Sequence, residues 1–208
     1  MTDPELAAMG RRTVDLLQEA LDEGDVATAR RLARRMYGEF SSMHDLYRNW
    51  ITGLASFIAR RDGDEVAAEA LRETVQRFTD EIGPIYDGAS DRERITFLAA
   101  GIRGHLQEVE VREEAGYYEI VAPVCGSGGR LINDGGYEGD DAFHSIEGPS
   151  PVTFGRAEIP IYCAHCHFQN QAIPAGQDRP LFETIPAEDL GHMPCRLRVH
   201  KTVTDIDA

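Results

Sequence analysis

The sequence predicts an α+β protein: an N-terminal bundle of about four helices packed on a small, mainly β, metal-stabilised C-terminal module. Three observations predict it. Apolar residues recur at helical spacing as far as Leu106. From Val109 onward they alternate with charged residues instead. All 4 cysteines fall in this second stretch, which is rich in glycine and proline. The expected division is a helical domain over residues 1–106 and a β-rich zinc-binding domain over residues 107–208.

Asp3 is placed to cap a first helix, with Pro4 at its first position. Leu6, Met9, Leu17 and Leu21 give that helix an apolar stripe, and Gly24 ends it. Asp25 caps a second helix that runs through Arg61. Its apolar stripe is Ala29, Leu32, Met36, Phe40, Met43, Tyr47, Trp50, Leu54 and Phe57. A bend is expected near Gly38 or Ser41-Ser42. Asp62-Gly63-Asp64 makes a turn into a third helix, which Gly83-Pro84 stops. Ser90 and Glu93 have the spacing of a capping box for a fourth helix bearing Ile95, Leu98, Ile102 and Leu106. A β-hairpin follows around Glu114-Ala115-Gly116. Further strands are expected at Ala157 to Tyr162 and Arg196 to Val203.

The net charge of -15 is uneven. Residues 1–106 carry 19 acidic and 14 basic side chains, residues 107–208 carry 17 and 7. Nucleic acids and anionic membranes repel such a surface, because both need Lys and Arg to displace counterions. No apolar run approaches the roughly 18 residues of a membrane span. The amino-terminal residues have no secretory pattern, so a cytoplasmic location is expected. There cysteines stay reduced, and a cluster of them points to metal or redox chemistry.

Cys125, Cys163, Cys166 and Cys195 are therefore the candidate ligands of a zinc ion, with His167 and His192 as alternates. Cys163-Ala164-His165-Cys166 is a C-x-x-C pair, which suits one edge of a tetrahedron. An iron–sulfur cluster uses the same four thiolates and is the alternative cofactor. The run Cys163 to His167 also fits the C-x-x-C-H haem-attachment pattern, but the chain shows no export signal to go with it. A thioredoxin-like dithiol needs a βαβ unit around the motif, and none is visible.

Outside the cysteines, Gly128 and Arg130 in Gly126-Ser127-Gly128-Gly129-Arg130 are candidates to cradle an anionic ligand. His44 and Tyr47 share a helix face; His44 is a candidate general base and Tyr47 a ligand contact. His167 is a second catalytic candidate. His105 reads as a helix-end residue that complements the dipole. Arg30, Arg31, Arg34 and Arg35 form a basic patch.

Three kinds of protein fit these residues. One is a zinc-binding protein with a small-molecule pocket between its helical and metal halves, either an enzyme or a ligand sensor. The second is a catalytic-zinc hydrolase or lyase, in which an open coordination position activates water. The third is a protein-interaction module shaped by structural zinc. The long helix stripes also suit packing in a homodimer.

Overall fold

A computed structural model describes residues 9–202. The elements in chain order are α1 (Thr13–Asp22), α2 (Val26–Asp62), α3 (Asp64–Ile82), a 3-10 turn (Gly83–Tyr86) and α4 (Asp91–Arg103). They continue with β1 (Glu110–Glu113), β2 (Tyr117–Ala122), α5 (Gly128–Asn133), β3 (Ser145–Glu147), β4 (Glu158–Pro160), α6 (Ile161–Gln169), β5 (Glu183–Ile185) and β6 (Cys195–His200). The expected cap at Asp3 and the stripe residue Leu6 lie outside the described residues. The chain forms two compact units, Met1–Tyr47 and Arg48–Ala208.

In the first unit α1 and the start of α2 form a helical hairpin. Gly24 makes the turn with a left-handed φ of 73°. Asp25 accepts from the Thr28 N–H at 3.0 Å and so caps α2, as its place in the sequence predicts. Ala20, Ala29 and Leu32 are buried together, with Leu16 and Leu17 packed on them.

In the second unit the last turns of α2, together with α3, hold the two-stranded sheet β3–β4. Ile146, Ile159, Ile161 and Ala164 are buried against Ala59 and Ala67. Ser56 Oγ accepts from the His144 N–H at 3.0 Å. Asp64, in the first turn of α3, bonds His144 Nε2 at 2.6 Å and the Glu147 N–H at 2.9 Å. One carboxylate thus fixes both ends of a short strand.

The larger sheet is antiparallel throughout, in the order β1-β2-β6-β5. Its apolar face, with Ile120, Leu197 and Val199, packs on Ile95, Leu98 and Ala99 of α4. The opposite face is charged: buried Glu119 accepts from Arg198 Nε at 2.9 Å, directly across the β2–β6 ladder. The exposed edge strand β1 carries Glu110, Arg112 and Glu113, which discourage pairing with another chain. The capping box of α4 forms as predicted, Ser90 and Glu93 bonding each other's backbone N–H. Asp91 is buried and accepts from the Thr202 hydroxyl at 2.9 Å, tying the helix start to the end of the sheet.

Four expectations are corrected. Among the described residues no group of three or more His, Cys, Asp or Glu side chains is arranged to hold a metal ion, so the α+β fold is not metal-stabilised. The strand expected over Ala157 to Tyr162 ends at Pro160, and the C-x-x-C pair lies within helix α6 that follows it directly. The Gly-rich run leads into a short helix, α5. The fourth helix stops at Arg103 rather than Leu106, because the chain turns at Gly104 and Leu106 adopts a left-handed φ of 61°.

Asp64→Ala removes an anchor shared by α3 and β3. We expect a loss of about 1–2 kcal/mol in urea unfolding, with faster hydrogen exchange at the Glu147 amide. Unchanged exchange there would show that β3 is held by its apolar contacts alone.

Candidate functional site

The second unit encloses a cavity of about 90 Å³. All four cysteines line it, brought from the loop after β2, from α6 and from the start of β6. His105, Gln107, Ser127, Gly128, Tyr162 and His165 complete much of the wall. A single water needs on the order of 10–15 Å³, so the space admits a small organic molecule.

Two glycines let the chain come this close. A Cβ on Gly126 would lie 1.7 Å from the His105 carbonyl oxygen, and one on Gly128 would lie 2.9 Å from Cys163 Sγ. The turn after α4 then presents His105 to the loop after β2. His105 Nδ1 and Ser127 Oγ share a hydrogen bond of 2.6 Å. Tyr162 lines the same wall as Ser127. The result is a hydrogen-bonded pair, Ser127–His105, on a mainly apolar wall that also carries Tyr162, Gln107, Gln169 and Thr184.

The four cysteines are free thiols. They are partly exposed by surface area, and all four line the cavity. Burial is the main cause of the pKa shifts. It pushes the Cys166 thiol up to about 12 and the Cys195 thiol up to about 11. Cys163 is raised well above its ordinary value by burial and then by its neighbouring cysteines. Tyr162 rises to about 12, again through burial. His165 is lowered by burial, which favours its neutral ring. Its Nδ1–H donates to the Tyr162 carbonyl, leaving Nε2 as the acceptor 3.8 Å from Cys166 Sγ. At neutral pH these groups carry no formal charge.

The zinc and iron–sulfur readings are overturned together, because among the described residues no group of three or more His, Cys, Asp or Glu side chains is arranged to hold a metal ion. A tetrahedral zinc site needs each sulfur, as thiolate, about 2.3 Å from one point. Here the four cysteines come to the cavity wall from three separate segments. Cys195 Sγ accepts from the Ala187 N–H at 3.4 Å, and Cys163 Sγ packs on Gly128. With no metal-holding group among the described residues, the structural-zinc, catalytic-zinc and iron–sulfur functions all fall.

The other sequence candidates are dispersed. Gly128 lines the cavity; Arg130, His167 and His192 do not. Arg130 donates from Nη1 to the Gly126 carbonyl at 3.3 Å. His167 sits edge-on to Phe154 and Phe168 and contacts Gln171 at 3.0 Å. His192 is exposed and bonds Asp189 at 3.1 Å. His44 bonds Asp45 at 3.0 Å, and Tyr47 is exposed; both belong to the first unit. Tyr162 is not singled out by sequence, Ser127 and His165 stand there only within the Gly-rich run and the C-x-x-C pair, and His105 reads as a helix-end residue. The available signal was the glycine directly before both His105 and Ser127, which allows a close approach of the two segments.

Comparisons of the chain with protein-family models, with curated proteins and with solved structures return no match. Among the described residues no helix is long and apolar enough to cross a membrane.

Two predictions follow from the wall. Gly126→Ala forces a methyl into the His105 backbone, so we expect at least about 3 kcal/mol of destabilisation in urea unfolding, or an unfolded chain. A variant of native stability would place the two segments apart. The raised thiol and tyrosine pKa values make the fold alkali-sensitive. These groups favour the folded state fully below their unfolded pKa values, and that contribution is lost as pH climbs towards the folded values of about 11 and 12. The urea midpoint should therefore fall steadily above about pH 9; a midpoint that rises there has the wrong sign for protonated, buried thiols.

Proposed function

We propose that the second unit binds a small, uncharged, mainly apolar molecule bearing one hydrogen-bonding group, in the thiol-lined cavity. The observation that carries this is the make-up of the wall. The three cysteines Cys163, Cys166 and Cys195 are held protonated by burial, and neutral His165 lies beside them. Protonated thiols behave as small, polarizable, apolar groups. A charged ligand would lose its hydration there without compensation. The Ser127–His105 pair, with Tyr162, Gln107, Gln169 and Thr184 on the same wall, supplies the hydrogen-bonding groups that fix orientation in a mainly apolar site.

The test is ligand-observed NMR with a library of small neutral fragments, on the whole chain and on Ser127→Ala. We expect neutral fragments with a hydroxyl or carbonyl to bind. Ser127→Ala should weaken them about tenfold, the value of one hydrogen bond in a buried site. Bound fragment should also slow alkylation of the cysteines by iodoacetamide. Binding confined to carboxylates or amines would overturn the reading, as would fragments that leave alkylation unchanged. Covalent labelling of Ser127 by a fluorophosphonate would instead make the cavity an acyl-transfer site, with His105 as the adjacent base.

A further inference from the structure

Helix α2 turns its apolar side away from its own chain. Between Arg48 and Asp62 the buried positions are Arg48, Thr52, Ser56 and Ala59, which are polar or small. Ile58 packs on the core, but most large apolar side chains of this stretch are exposed, with Trp50 at 59%, Leu54 at 51% and Phe57 at 56%. The same holds for Phe40, Met43 and Tyr47 in the preceding turns. An ordinary surface helix has the opposite arrangement.

These six residues alternate in steps of three and four: Phe40, Met43, Tyr47, Trp50, Leu54, Phe57. That is a heptad seam with Phe40, Tyr47 and Leu54 at a, and Met43, Trp50 and Phe57 at d. A strict 3.5-residue repeat matches another helix coiled against it, since an isolated straight helix repeats at 3.6. The area is sufficient for a stable pair. Ten large apolar residues from Met36 to Phe57 are exposed by about 40–60%. At roughly 100 Å² each they offer on the order of 1,000 Å² per copy, against about 800 Å² per partner in a standard interface.

We propose that this seam pairs with the same helix of a second copy of the chain, antiparallel, to form a homodimer. Full overlap in that direction sets Phe40 opposite Phe57, Met43 opposite Leu54 and Tyr47 opposite Trp50, each layer occurring twice by two-fold symmetry. The flanking g positions then match in charge, because Glu39 of one copy meets Arg60 of the other. Parallel pairing sets Glu39 beside His44 and leaves Arg60 with no acidic counterpart at a flanking position of the seam. The inference is independent of the cavity.

The test is light scattering of the purified chain over a dilution series, with Trp50, the only tryptophan, as a fluorescent reporter. We expect twice the 23.1 kDa chain mass, and a red shift of Trp50 emission as the dimer dissociates. Met43→Lys and Leu54→Glu each alter an exposed position, so both variants should keep the native circular dichroism spectrum while weakening association by about 100-fold. Combined in one chain, M43K and L54E face each other only in the antiparallel register and should restore the dimer. A monomeric wild-type chain would overturn the proposal, as would single variants that remain dimeric. A double variant that stays monomeric would overturn the antiparallel register.

Discussion

The second unit depends on one strand pairing, that of Tyr117–Ala122 with Cys195–His200. Its register sets Ile120 against Leu197 and Tyr118 against Val199, so one face of the ladder is apolar and α4 lies on it. It also sets Ala122 opposite Cys195, which brings the loop carrying Cys125 and Ser127 to the start of the last strand. A slip of one residue would turn every side chain of one strand to the other face. Glu119 or Arg198, whichever strand had slipped, would then meet α4, and the charge pair would be split across the sheet with one member in an apolar layer. The apolar packing therefore fixes the register, and the register fixes the cavity.

The cavity shows how the same residues can answer to different chemistry. Four cysteines gathered in one unit invite a metal when read as thiolates. Burial acts on them in the other direction, because removing a thiol from water penalises its charged form. It acts on His165 in the same sense, favouring the neutral ring. Every shift resolved on this wall moves its group towards zero charge. Cys163, Cys166 and Cys195 behave as small apolar residues, and the polar groups of the site are Ser127, its partner His105, and the side chains of Tyr162, His165, Gln107, Gln169 and Thr184. The close approach that permits the Ser127–His105 bond is a backbone matter. It rests on the absence of a side chain at Gly126 and on the left-handed turn at Leu106.

Much of this fold is legible in the sequence, and the reasons are physical. Long helices such as Val26–Asp62 and Asp64–Ile82 repeat their apolar pattern often enough to be read, and Asp25 and Ser90 mark the starts of α2 and α4 by local chemistry. The β1–β2 hairpin and the strand after Cys195 alternate as strands should. Helices α5 and α6 escape because 6 and 9 residues hold too few turns to show a period. The meeting of the four cysteines on one cavity was legible from their grouping, but their role was not, since spacing carries no information about burial. The His105–Ser127 pair spans 22 residues and two turns, so only the folded chain brings it together.

Amphipathic pattern has the same limit on helix α2. Spacing identifies an apolar stripe; it does not identify what covers it. Ala29 and Leu32 of that stripe are buried within the helical hairpin of their own unit. From Phe40 to Phe57 the stripe stays exposed, although the helix also buries a face. That face is made of Thr52, Ser56 and Ala59, with Arg48 held by Asp134 at 3.1 Å. Small and hydroxylated residues there admit close contact with the loop at His144, whose N–H bonds Ser56. The large residues are left for the other side. A helix that spends its small residues on its own chain and keeps Phe40, Trp50, Leu54 and Phe57 outside has divided its surface into two interfaces, of which its own fold fills one.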